Sequence, residues 1–107
     1  MSTSQGYTPA APERSEVDHW QGAAVLEFGT DWCGICGAAQ PLIREGLAGR
    51  EIKHVKVEDG PGRPLGRSFR VKLWPTLIFL REGKEVARVV RPGKVEEISQ
   101  ALARLSD

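Results

Sequence analysis

The chain predicts an α/β domain with a central mixed β-sheet of four to five strands, flanked by helices on both faces. Three observations point there. Apolar runs alternate with helix-period stretches in the order strand, helix, strand, helix, the pattern that sets strands in parallel. Two later apolar runs are joined by Arg81-Glu-Gly-Lys84, a hairpin signal with Gly83 at the turn, which adds an antiparallel pair. Near the C-terminus Val95, Ile98, Leu102 and Leu105 fall on one helical stripe, a face that must pack on the sheet.

Taken in order, residues 1–12 are rich in Ser, Thr, Pro and Ala and predict a loosely ordered lead-in, with a short edge strand near Tyr7. Glu13 to Trp20 predicts a short helix, because Pro12 precedes it and acidic residues fill its first turns; Trp20 reads as a core or helix-end residue. Ala23 to Phe28 is an apolar run that reads as a buried strand. A helix follows from Cys33 to Leu47, stopped by Gly49, with Pro41 inside it and expected to kink it. Ile52 to Val57 is β-branched enough for a second strand, and Asp59-Gly-Pro-Gly62 is strong turn chemistry. Pro64 to Phe69 forms a short helix, Pro75 to Leu80 and Glu85 to Val90 the hairpin strands, and Lys94 to Leu105 the last helix.

A length of 107 residues fits one domain over 1–107, large enough to bury a core without staples. With 15 basic and 14 acidic side chains the charge is near balance, so nothing suggests nucleic acid or a bulk electrostatic partner. The first twelve residues lack a cationic flank and an apolar h-region, and no stretch approaches a membrane span. The expectation is a monomer in the cytosol, with no membrane contact. There a lone CxxC is more often catalytic or metal-binding than a structural disulfide.

The two cysteines of the chain, Cys33 and Cys36, directly follow the buried strand. If Cys33 begins the helix, the sulfurs lie one turn apart and can form and open a disulfide with little backbone movement. A thiolate is the nucleophile in disulfide exchange, and unpaired N–H groups at a helix N-terminus stabilise it. Cys33 holds that position and Cys36 does not. Cys33 is therefore expected to attack a substrate disulfide and Cys36 to resolve the mixed disulfide. Cys36, the more buried thiol, needs a proton acceptor. Glu27 is the candidate, a carboxylate in an apolar strand whose desolvation would raise its pKa toward neutrality. His19 and His54 could complete a Cys2His2 zinc site, but their spacings match no common finger, and no metal is expected.

Four landmarks in order, Trp32-Cys-Gly-x-Cys36, Pro41, Trp74-Pro75-Thr76 and Gly93, make the chain resemble the thioredoxin family from about residue 13 to its end. The resemblance implies the thioredoxin fold and the same cysteine roles. The implied activity is protein-disulfide reduction through a redox-active Cys33–Cys36 disulfide, without metal or organic cofactor. The implied partners are protein disulfide substrates and an upstream disulfide reductase. It places Lys56 beside Glu27 on the adjacent strand, where members usually pair a buried Asp with a Lys. It makes the bond before Pro75 cis, with Leu73, Trp74, Ile35, Pro92 and Gly93 around Cys33 as a partly exposed apolar patch. Trp32, Gly34 and Thr76 complete the substrate-binding set, along which an extended segment can pair as an added strand. Arg91 and Lys72 could bias this face toward acidic partners.

The chain departs from the family at several positions. Ile35 replaces the usual proline between the cysteines, for which a somewhat less reducing couple is expected. Gly37 stands where many members have a basic residue, Gly29 where many have a Trp, and Leu73 where a smaller residue is usual. These leave open a disulfide isomerase, a reductant of one client, or a redox-inactive binding module that docks through Leu73 and Trp74.

Overall fold

The computed structural model describes residues 6–106. Its elements are α1 (Arg14–Asp18), β1 (Ala23–Gly29), α2 (Gly34–Leu47), β2 (Lys53–Glu58), α3 (Pro64–Ser68), β3 (Thr76–Arg81), β4 (Lys84–Val90) and α4 (Val95–Ala103), followed by a 3-10 turn over Arg104–Ser106. The strands form one sheet in the order β2-β1-β3-β4. β1 pairs with β2 in parallel and with β3 antiparallel, and β3 pairs antiparallel with β4. The mixed sheet expected from the order of elements is therefore present, with four strands.

Strand alternation sorts the core into two layers. Val25, Leu77 and Phe79 pack with Ala39 and Ile43 of α2 and with Ile98, Ala101 and Leu102 of α4. On the other face Ala24, Leu26, Phe28, Ile78 and Leu80 pack with Val17 of α1, Leu65 of α3 and Phe69. Helices therefore cover both faces. β1 beyond Ala23 and β3 as far as Leu80 are buried, as largely apolar runs require.

Several boundaries differ from the sequence reading. α1 has five residues and its N-cap, Glu13, makes no side-chain cap bond. Val17 is its one buried residue, so little packing is available to sustain a second turn of so short a helix. Trp20 lies beyond it, half-buried, with the Lys53 ammonium 4.0 Å above its ring. α2 runs unbroken through Pro41. α4 starts one residue later than expected, because Glu97 accepts from the backbone N–H groups of Gly93 and Lys94 at 2.7 and 3.0 Å and so caps the helix. At the β3–β4 turn Glu82 and Gly83 have φ of 52° and 77°, the positive pair a two-residue hairpin turn needs. Glycine is required there for space as well, since a Cβ on Gly83 would lie 2.3 Å from the Asp18 carbonyl oxygen.

The expected edge strand near Tyr7 is a single parallel bridge from Thr8 to Val57 on the outer edge of β2. Thr8 N–H donates to the Lys56 carbonyl at 2.9 Å, and Glu58 N–H donates to the Thr8 carbonyl at 2.9 Å. The Tyr7 N–H donates to Asp31 Oδ1 at 2.9 Å. Of the lead-in, residues 1–5 lie outside the described residues, and Tyr7 is buried.

Candidate active site

Cys33 is the N-cap of α2 and Gly34 its first helical residue. The Cys33 sulfur accepts the backbone N–H of Cys36 at 3.1 Å, so the first turn of the helix points a free donor at it. Cys33 is half-buried and Cys36 buried, and both are free thiols. Burial, with the Cys33 sulfur next in weight, pushes the Cys36 thiol up to about 11, against the opposing pull of a backbone hydrogen bond from Thr30 and the hydroxyl of Tyr7.

Residues 25, 27 and 29 share one face of β1, the face under α2. This places Glu27 and Gly29 below Cys36. Glu27 is fully buried and holds three partners: the Tyr7 hydroxyl donates to Oε2, Gln40 Nε2 lies 2.9 Å from Oε2, and His54 Nε2 lies 2.9 Å from Oε1. Glu27 is paired in register with Lys56, but the ammonium of Lys56 donates to Gln40 Oε1 at 2.8 Å and sits 4.8 Å from the centre of the Tyr7 ring.

The sequence reading of Glu27 needs one correction. Burial does push its carboxyl up, as expected, but the hydrogen bonds from His54, Tyr7 and Gln40 and the charge of Lys56 outweigh it, and the net shift is downward. A carboxylate that accepts several donors is held ionised. Burial and the neighbouring Glu27 carboxylate drive the Tyr7 phenol the other way, well above its ordinary value.

Tyr7 and Gln40 were not singled out by sequence, and His54 was weighed only as a metal ligand. Two of the three had a readable signal. His54 lies two residues before Lys56 and hence on the same face of β2, and Gln40 lies four residues after Cys36 on one face of α2. Tyr7 had none, because it reaches the site from a segment without periodicity. Among the described residues no group of three or more His, Cys, Asp or Glu could hold a metal ion, and His19 bonds the Ser15 carbonyl instead.

The proposed substrate face is divided by exposure. Trp32 is 77% exposed, and Ile35 and Leu73 are each 47% exposed; Gly34 and Gly93 are also open, and Trp74 is half-buried. The Trp32 and Trp74 rings meet edge to face, with centroids 5.8 Å apart. Trp74 is anchored from behind, its indole N–H donating to Asp59 Oδ2 at 2.8 Å. The Trp74–Pro75 bond is cis. Pro75 and Thr76 are buried, and the Thr76 hydroxyl donates to the Leu73 carbonyl at 2.6 Å. Pro92 departs from the expected open patch: it is buried and can support the face but not present itself. Arg91 donates through Nε to the Trp74 carbonyl and through its backbone N–H to that of Pro75, both at 2.9 Å, so its side chain is engaged in holding this loop. Lys72 is exposed.

Comparison with known proteins agrees with this architecture. The sequence model of the thioredoxin family matches residues 11–104. Thioredoxin H2-1 of Oryza sativa subsp. japonica is 35% identical over 74 residues, covering 67% of this chain and 53% of that protein, so the chain spans about half of that relative's length. Thioredoxin of Chlamydia pneumoniae is 37% identical over 73 residues, covering 64% of this chain and 69% of that protein. The solved structure of thioredoxin 2 from Pseudomonas aeruginosa PAO1 in its reduced form superposes with a TM-score of 0.86, at 56% identity and with 96% of each chain covered. A match that takes in the four-stranded sheet, the CxxC turn and the helix behind it places the chain in the thioredoxin family.

Proposed function

We propose that the chain is a thiol–disulfide oxidoreductase that reduces protein disulfides through Cys33 and Cys36. One observation carries the reading: the half-buried Cys33 sulfur caps α2 and accepts the Cys36 N–H, while Cys36 lies buried one turn behind. The accessible sulfur is the one at the helix terminus, and it alone meets the substrate first.

The Cys33 thiolate attacks one sulfur of a substrate disulfide, forming a mixed disulfide and releasing the other substrate sulfur as a thiolate. Cys36 then loses its proton and attacks the Cys33 sulfur. The electron pair of the mixed disulfide leaves with the second substrate sulfur, so the substrate gains two electrons and the protein is left with a Cys33–Cys36 bridge. Trp32, Gly34, Ile35, Leu73 and Trp74 form the docking face, with Gly93 at its edge and the buried Pro75 and Thr76 beneath it, along which an extended substrate segment can lie as an added strand. An upstream disulfide reductase returns two electrons for the next cycle. The proposed setting is the cytosol, where such a reductase keeps the pair reduced.

Cysteine variants test the reading. Reduced wild-type protein is expected to reduce a disulfide-bonded protein probe. Cys36→Ser is expected to accumulate a mixed disulfide on Cys33, and Cys33→Ser to lose activity. Probe association that is unchanged by Cys33→Ser, with no reduction by the wild type, would leave a binding module instead.

A further inference from the structure

We infer that Tyr7 is a further catalytic residue, whose hydroxyl carries the proton of Cys36 to Glu27 when the mixed disulfide is resolved. The inference rests on the oxidoreductase reading and extends it to a residue outside the CxxC and the sheet.

The geometry carries it. Gly29 has no side chain, and the space above its Cα is filled by two others: a Cβ built there would lie 2.7 Å from Cys36 Sγ, 2.8 Å from Tyr7 Cζ and 2.9 Å from Tyr7 Oη. The ring that this position of β1 lacks is thus supplied by the lead-in, and it brings a hydroxyl with it. That hydroxyl is held from below by Glu27 Oε2 and from the side by Gln40 Nε2 at 3.2 Å, while the Tyr7 N–H is fixed to Asp31. The hydroxyl gives its one proton to Glu27 and accepts from Gln40, and its oxygen shares the space above Gly29 with the Cys36 sulfur, to whose thiolate it can turn the same proton. Tyr7, Cys36, Gln40 and Lys56 also line a cleft of about 150 Å³, large enough to admit water.

In the resolving step the Cys36 sulfur bonds to the Cys33 sulfur, which makes its own S–H acidic. That proton passes to Tyr7 Oη as the Tyr7 proton passes to Glu27 Oε2, so the hydroxyl ends as it began. The protonated Glu27 then returns its proton to water at the cleft or at His54, because its surroundings favour the anion. The titratable groups acting on Cys36 are Cys33 on its own helix and Tyr7; Asp31 and Lys56 line the cleft with it, and Glu27 lies behind Tyr7 with His54 on its other oxygen. Of these the Tyr7 hydroxyl alone both acts on the thiol and bonds the buried carboxylate.

The test is rapid mixing of reduced protein with excess disulfide probe, acid quenching, and mass spectrometry of the Cys33 mixed disulfide with time. Tyr7→Phe keeps the ring and removes the relay. Its mixed disulfide is expected to form at the wild-type rate and to resolve about a hundredfold more slowly at pH 7. The gap should close as the pH is raised and Cys36 ionises unaided. Equal resolution at pH 7, or a deficit of the same size at every pH, overturns the inference. Should Tyr7→Phe fail to fold, the wild type in H2O–D2O mixtures decides, since two protons moving together give a bowed dependence of the resolution rate on deuterium fraction and a linear dependence overturns the inference. Absence of any mixed disulfide on Cys33 would overturn this inference together with the oxidoreductase reading; resolution that is indifferent to Tyr7 overturns the inference alone.

Discussion

Gly29 and Tyr7 are complementary: the strand residue gives up its side chain, and the aromatic ring of a residue 22 positions earlier fills the space, its Cζ 2.8 Å from where a Cβ would stand. Backbone freedom is not the reason for glycine here, since Gly29 is not among the positive-φ residues. The constraint is space. Gly29→Ala would drive a methyl into Tyr7 and Cys36 together, and overpacking of this kind costs about 1–3 kcal/mol. Urea unfolding of the reduced protein should show that loss, and Tyr7→Leu should reduce it only in part, because the contact with the Cys36 sulfur remains. A fully tolerated alanine would mean that the ring is free to move aside.

The two thiols should separate cleanly in reactivity. With Cys36 pushed up to about 11, its thiolate is scarce at pH 8, and each unit of pH raises that fraction tenfold until the thiol itself titrates. Alkylation of reduced protein at pH 8, read by mass spectrometry, should modify Cys33 well before Cys36. The Cys36 rate should climb with pH to about 11 and then level. Simultaneous labelling at pH 8 would contradict a Cys36 held neutral by burial.

Much of this was legible in the chain, for identifiable reasons. The buried strands announce themselves because a strand covered on both faces is almost wholly apolar, as Val25, Leu26 and Phe28 are around the single carboxylate Glu27. The thiol site was legible because the CxxC lies between such a strand and a helix-period stretch, so Cys33 could begin that helix, and it is its N-cap. What was not legible depends on register. His54 meets Glu27 only because β1 and β2 pair in parallel with Glu27 opposite Lys56, and Gln40 only because α2 crosses that face. The direction of the Glu27 shift followed from the same gap: burial can be read from an apolar run, whereas the three donors that reverse it come from the lead-in, α2 and β2.

Asp59 controls the docking face from behind. Its Oδ2 accepts the Trp74 indole N–H at 2.8 Å, and Trp74 in turn meets the highly exposed Trp32. A hydrogen bond to a charged acceptor contributes about 1.5–3 kcal/mol. Asp59→Ala should therefore lower stability by about 1.5 kcal/mol, change tryptophan fluorescence, and raise KM for a protein disulfide more than it lowers kcat. Unchanged KM with altered fluorescence would detach Trp74 from substrate binding.

The donors around Glu27 also set an acid limit on the fold. Its carboxyl is held below the ordinary 4.5 despite burial, so between that value and its native value the unfolded chain binds the extra proton and stability rises with pH. The contribution is complete above about 4.5 and is lost as the pH falls through the native value. His54 gives the strongest of the opposing bonds. His54→Ala should therefore bring the native value back up, shrinking the window in which stability depends on this carboxylate, and should weaken the fold at neutral pH by leaving Glu27 Oε1 without that donor. Thermal melts of both proteins from pH 3 to 6 read the difference: Tm of the variant should begin lower and fall less steeply below pH 4.5. Parallel curves would assign the acid limb to other carboxylates and leave His54 a surface residue that merely touches Glu27.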